Sequence, residues 1–152
     1  MIITILFKEN NMPKLSICVA TIPERKHKII PLLEELEKQV SKYNNDVEIL
    51  YLGDFKTMTI SEKRNHLVNM AKGTYITFVD DDDQVCSDYI DEIYNAIVNN
   101  HENPDIIVFD VLITDGTCSS IVLYDINFAD NYNMKNRFIR LPNHLMAIKK
   151  SI

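Results

Sequence analysis

Cysteine is scarce in this chain of 152 residues: Cys18, Cys86 and Cys118 are odd in number and far apart. No Cys-x-x-Cys pair occurs, which argues against a disulfide frame and against a thiolate zinc site. The three read as small buried hydrophobes in a reducing compartment, so a cytoplasmic location is expected. Histidine gives no zinc site either, because His27, His66 and His101 do not cluster. No apolar run is long enough to span a bilayer, so no transmembrane segment is expected. The apolar stretch Met1 to Phe7 is too short for a secretory leader and lacks its basic flank. Residues 1–12 instead read as an N-terminal extension or edge strand, with Met12 equally suited as a start. An excess of positive charge is also missing. The net charge of −6 disfavours a sequence-independent nucleic-acid binder, and no nucleic-acid substrate is expected. Without internal repeats or a long linker, the chain reads as one domain able to bury a core.

What is present is an alternation of strand and helix signals. Leu15 to Ala20 is a short apolar run. It is followed by a helical pattern that sets Ile29, Leu32, Leu33, Leu36 and Val40 on one face, with Pro31 in the first turn or at a kink. Val47 to Leu52 is the second strand candidate. Thr59 and Glu62 have capping-box spacing, Leu67, Met70 and Ala71 give the next helix an apolar side, and Gly73 stands as its C-cap. Thr74 to Val79 is the third strand. Ser87 is placed to cap a helix carrying Ile90, Ile93, Tyr94, Ile97 and Val98, and Asp105 to Val111 forms the fourth strand. Beyond residue 115 the pattern weakens, with strand candidates at Ser119–Tyr124 and Arg137–Leu141 around an Asn/Asp-rich loop, Asn127 to Asn136. Strands and helices in this order predict an α/β fold, a three-layer α/β/α sandwich with a mainly parallel sheet. Ligands in such sheets bind beyond the carboxyl ends of the strands, where Asp54 and Asp80 to Asp83 stand.

The four consecutive aspartates Asp80 to Asp83 end the apolar run Tyr75 to Val79. Adjacent carboxylates repel, and more strongly as water is excluded, so a divalent cation is the natural counter-charge. Mg²⁺ and Mn²⁺ take carboxylate oxygens and keep positions open for phosphate. On an extended chain Asp80 and Asp82 would face one side, with Asp81 and Asp83 on the other. A solvated acidic loop before a helix N-terminus is the plainer alternative. An EF-hand fails on two positions, Val85 where glycine is needed and Asp91 where glutamate is usual.

The segments Lys14 to Arg25, Lys63-Arg64-Asn65, and Ala71 to Asp83 together resemble family 2 glycosyltransferases of the GT-A fold, in order and over roughly residues 13 to 100. A further segment, Leu141 to Leu145 followed by Lys149, resembles a downstream part of that family. The resemblance implies transfer of a sugar from a nucleotide diphosphate donor, often a UDP-sugar, with Mn²⁺ or Mg²⁺ as cofactor. It maps the metal-binding D-x-D motif onto Asp80 and Asp82, with Asp83 as the following acidic residue and Asp81 within the donor site. It assigns Thr21 and Arg25 to the nucleotide cradle, Asp54 to the base, and Arg64 to the base and phosphates. Lys63 beside it adds to phosphate attraction, and His144 is a late metal or acceptor-site candidate. Where the family has Asp-Asp-Gly-Ser, this chain has Gly53-Asp54-Phe55-Lys56.

Inverting members need a general base to deprotonate the acceptor hydroxyl, usually an aspartate in an acidic motif farther downstream. No Glu-Asp pair follows residue 101. The expectation is therefore a donor-binding portion, with 116–152 as the start of an acceptor-side region and the acceptor (saccharide, lipid or protein) open. A homo-oligomer is one way to complete it. Two alternatives stand beside transfer. One is a non-catalytic protein that sequesters nucleotide sugars. The other is a nucleotidyltransferase, disfavoured because residues 20–25 contain no glycine to cradle phosphates.

Overall fold

The computed structural model describes residues 12–114, 116–124, 127, 132–134, 137–141 and 144–152. Residues 1–11, and most of the Asn/Asp-rich stretch 127–136, lie outside the described residues. So do Pro142 and Asn143 of the downstream segment.

Strand β1 (Leu15–Thr21) runs into a single 3-10 turn, Pro23–Arg25, and helix α1 (Lys26–Val40). Pro31 lies inside this helix, in its second turn. Strand β2 (Val47–Gly53) and helix α2 (Ile60–Met70) follow, then strand β3 (Tyr75–Phe78) and helix α3 (Tyr89–Asn99). The predicted fourth strand is two. After β4 (Ile106–Val108) the chain breaks at Phe109-Asp110, and β5 (Val111–Thr114) starts another sheet. Strands β6 (Ser119–Tyr124), β7 (Tyr132–Met134), β8 (Arg137–Arg140) and β9 (Met146–Lys149) complete the order.

The main sheet has the order β2-β1-β3-β9-β4. Strand β1 is parallel to both β2 and β3, whereas β9 is antiparallel to both β3 and β4. The α/β class and the layered build are as expected, but the sheet is mixed, because a four-residue strand near the C-terminus inserts between β3 and β4. The second sheet, β5-β6-β8-β7, is also mixed.

Each face of the main sheet has its own core. Ile29, Leu32 and Leu36 of α1 and Ile90 and Ile93 of α3 pack with Leu15, Ile17, Val19 and Val47. On the other face Leu67 of α2 meets Cys18, Leu50 and Ile76. Only Cys18 fulfils the expectation of a buried thiol, since Cys86 and Cys118 are exposed. Burial pushes the Cys18 thiol up to about 12.

The capping signal held at the start of α2 and failed at the other two helix ends where one was expected. Thr59 Oγ1 accepts from Glu62 N at 3.2 Å while Glu62 Oε2 accepts from Thr59 N at 2.7 Å, the predicted capping box. Gly73 is not the C-cap, which is Ala71. Its lack of a side chain serves a close approach instead: a Cβ there would lie 2.6 Å from Ser16 N and 2.8 Å from Leu15 C. Ser87 is not the cap of α3 either. Asp88 stands at that position and makes no side-chain capping bond. The buried Ile90 N–H in the first turn is met from another helix, by Gln39 Oε1 of α1 at 3.0 Å. Among the described residues no helix is long and apolar enough to cross a membrane.

Candidate functional site

The carboxyl ends of β1, β2 and β3 come together through one chain of polar contacts. Asp54, after β2, forms an ion pair with Lys63 of α2, and both side chains are almost wholly removed from solvent. Lys63 Nζ also donates to Thr21 O at 2.8 Å, at the end of β1. Thr21 Oγ1 donates to Asp81 Oδ2 at 2.7 Å, and Arg25 Nη1 donates to Asp81 Oδ1 at the same distance. Asp54 Oδ2 closes its own loop by accepting from Thr57 N (2.5 Å), Thr57 Oγ1 (2.9 Å) and Met58 N (2.8 Å). The Lys63 ammonium first, and then these donors, hold its carboxyl well below the usual carboxylate range, against the opposing effect of burial. Lys63, expected to draw phosphate, is thus committed inside the protein, and Asp54, expected at the base, has Oδ1 on Lys63 and Oδ2 on three donors of its own loop.

The aspartate run does not stay extended, so its side chains do not alternate between two sides. It leaves β3 and closes a turn in which Asp83 N donates to Asp80 O at 3.0 Å. Each carboxylate then has a different environment. Asp81 is buried, 2% exposed, and faces Thr21 and Arg25. Asp80 accepts from Arg64 Nη2 at 2.9 Å through Oδ1, while its Oδ2 lies 3.3 Å from His144 Nε2. The Arg64 guanidinium also lies over the Phe78 ring at 5.5 Å. Asp82 is half-open to solvent, with Arg25 Nη1 and Lys28 Nζ each 3.5 Å from its Oδ2. Asp83 has its pKa raised by desolvation, with the Asp80 and Asp82 charges adding to it. The Arg25 pKa is raised as well, which for a base favours the charged form, chiefly through the bond to Asp81.

All the residues expected at the site therefore converge: Thr21, Arg25, Asp54, Lys63, Arg64, Asp80 to Asp83 and His144 lie in one connected region. His144, separated by 64 positions, reaches Asp80 because β9 pairs with β3 and carries the preceding segment to the aspartate turn. Lys28 escaped notice in the sequence. It follows Arg25 by three positions, so one helical turn brings it to the same side, and that spacing was a usable signal.

For a divalent cation, the donor types fit: Asp80 Oδ2 and His144 Nε2 are already adjacent, and Asp82 is close by with only two cations to displace. Among the described residues no group of three His, Cys, Asp or Glu side chains is placed to hold a metal ion by itself. A site completed by phosphate oxygens and water suits Mg²⁺ or Mn²⁺, which keep such positions open.

A family model described as glycosyl transferase family 2 matches residues 32–148. The chain belongs to glycosyl transferase family 2. Among solved structures, S. aureus TarS 1-349 matches with a TM-score of 0.59 at 17% identity, covering 91% of this chain and 47% of that one. The complex of S. aureus TarS 1-349 with UDP-GlcNAc matches at a TM-score of 0.57 and 16% identity, covering 91% and 46%. The chain thus spans just under half the length of the TarS chains it resembles. Comparison with curated proteins gives no match. The fold of this family 2 chain is of GT-A type, with its aspartate turn at the carboxyl end of the third parallel strand.

Proposed function

We propose that this chain is the donor-binding part of a glycosyltransferase that holds a nucleotide diphosphate sugar, a UDP-sugar, against the aspartate turn and passes the sugar to a hydroxyl acceptor with inversion. The observation that carries this reading is the meeting of Asp80, Asp82 and His144 with Arg25, Lys28 and Arg64 at the carboxyl ends of β1 and β3. Carboxylates and an imidazole suit a divalent cation, and the guanidinium and ammonium groups around them suit phosphate oxygens.

In transfer, the acceptor oxygen forms a bond to the anomeric carbon, whose bond to the diphosphate breaks. The electron pair stays on the departing diphosphate, and the hydroxyl proton passes to a base. A divalent cation held by Asp80, Asp82 and His144 would neutralise the charge growing on that leaving group. The residues of this chain do the rest of the donor work. Lys28, once released from Asp82, is free to meet phosphate oxygens, while Arg25 stays bonded to Asp81 and offers its remaining guanidinium N–H groups to the same oxygens. Arg64, fixed by Asp80 and Phe78, faces the same turn. Asp81, held from two sides, keeps the turn in shape. The complex of S. aureus TarS 1-349 with UDP-GlcNAc supports the choice of a UDP-sugar.

Calorimetric titration of UDP, GDP and UDP-GlcNAc, with and without Mn²⁺, tests this reading. Metal-dependent binding is expected, with Asp82→Ala weakening it by about tenfold or more. A chain that binds none of these nucleotides in the presence of metal would overturn the proposal.

A further inference from the structure

A cavity of ≈ 570 Å³ lies beside the aspartate turn, between α1 and the segment 82–87. That volume is in the range of small-molecule sites. Its α1 wall runs from His27 to Lys38 along a single stripe of the helix, a length of about 16 Å at the usual helical rise. The opposite wall follows the same direction. Lys28 Nζ is 3.5 Å from Asp82 at one end, and Gln39 Nε2 donates to Cys86 O at 2.8 Å at the other. The cavity is thus a groove that starts at the proposed metal and diphosphate site and leads away from it.

We infer that this groove binds the acceptor, and that the acceptor is a neutral, hydroxyl-rich chain of a few sugar units. The inference rests on the donor reading above, which makes the end of the groove at Asp82 and Asp83 the place where a sugar would be handed over. Three features of the groove carry it. Its floor is apolar, formed by Pro31, Leu32 and Val85, as the C–H face of a sugar ring requires. Its rims carry both signs, with Lys28 and the Glu35–Lys38 pair (3.2 Å) on the α1 side and Asp82 and Asp83 opposite. A hydroxyl can donate to a carboxylate and accept from an ammonium, whereas a charged ligand would meet like charge along part of the groove. The third feature is a fixed polar wall. Gln39 is 2% exposed, and its amide gives one hydrogen to Glu35 Oε1 at 2.9 Å besides the bond to Cys86 O. Its oxygen is taken by Ile90 N, so the amide cannot turn and the Glu35 carboxylate is held at the groove edge. Glu35, with Oε1 on Gln39 and Oε2 3.2 Å from Lys38 Nζ, presents a fixed acceptor to the hydroxyls of the chain.

The test is amide NMR of the full chain with maltotriose, cellotriose and triacetylchitotriose, each with and without UDP and Mg²⁺. At least one trisaccharide should shift amides within 27–38 and 82–87. Ser87→Trp, which fills the groove from an exposed position, should weaken that trisaccharide by about tenfold or more while leaving UDP affinity unchanged. The inference is overturned if no trisaccharide shifts those amides, if Ser87→Trp leaves the affinity as it was, or if a neutral Gly/Ser peptide of similar length binds there more tightly. Nucleotide binding without any saccharide shift overturns the groove alone. Saccharide binding in the groove without nucleotide binding supports the groove as a sugar site and overturns the donor reading.

Discussion

Arg25 and Asp81 are joined by a 2.7 Å hydrogen-bonded ion pair across 56 positions of sequence, and this pair ties the loop after β1 to the turn after β3. The arginine side chain is 44% exposed and the aspartate side chain only 3%, so the carboxylate is the partner that cannot be left alone. Asp81→Asn keeps the shape and can still accept from Thr21, but it releases the guanidinium. Faster amide exchange in residues 22–25 and 80–83, with the strands unaffected, is the expected result. Exchange rates indistinguishable from those of the unaltered chain would show that the pair does not hold the turn.

Acid should loosen the link between β2 and α2 through Asp54. Its pKa is lowered in the folded chain, so its stabilising effect is complete above the unfolded value of about 3.9 and is lost as pH falls through the folded value. Asp54→Asn, which leaves the Lys63 ammonium buried without its counter-charge, should lower the urea midpoint at neutral pH. The gap between the two chains should then narrow below about pH 4. A gap of constant size down to the acid limit would contradict this assignment.

Gly73→Ala places a methyl group against the β1 backbone at Ser16 N and Leu15 C, neither of which is a flexible side-chain end. A loss of about 1–3 kcal/mol in denaturant unfolding is expected, the usual result of forced overpacking. A neutral substitution would mean that the α2–β3 connection shifts freely.

Gln39→Leu removes three hydrogen bonds from a buried position and strips the first turn of α3 of its substitute cap. The expected loss is about 1–3 kcal/mol, the cost of leaving buried groups unpaired, with exchange at the Ile90 amide rising most. If Ile90 exchanges no faster in the variant, the amide is not what satisfies it.

Thiol labelling separates the cysteines. Cys86 and Cys118 should react in the native chain, while Cys18, buried and with its thiol pushed up to about 12, should react only after denaturation. Native labelling of Cys18 at a rate like that of the others would show that the sheet opens there.

The sequence alone determined what depends on neighbours along the chain. Apolar spacing set the faces of α1 and α3, the Thr59 and Glu62 pair set the start of α2, and the run ending in Asp80 to Asp83 put carboxylates at a strand end. The motif resemblance carried the family in the same way, because motifs are read in order, and it named residues that the fold brings into one region. Tertiary structure decided the partners. Which aspartate meets arginine, which meets histidine and which is buried depends on side chains 16 to 64 positions away, brought together by strand pairing. The same holds for Lys63, whose charge reads as a phosphate ligand in one dimension and is spent on Asp54 in three. Strand β9 is too short to announce itself, and only hydrogen-bonding neighbours on both sides make it a strand. Gly73 and Gln39 show the physical reason most plainly. A close backbone approach and an orphaned helix N–H are satisfied by whatever the fold places nearest, and local sequence carries no record of that distance.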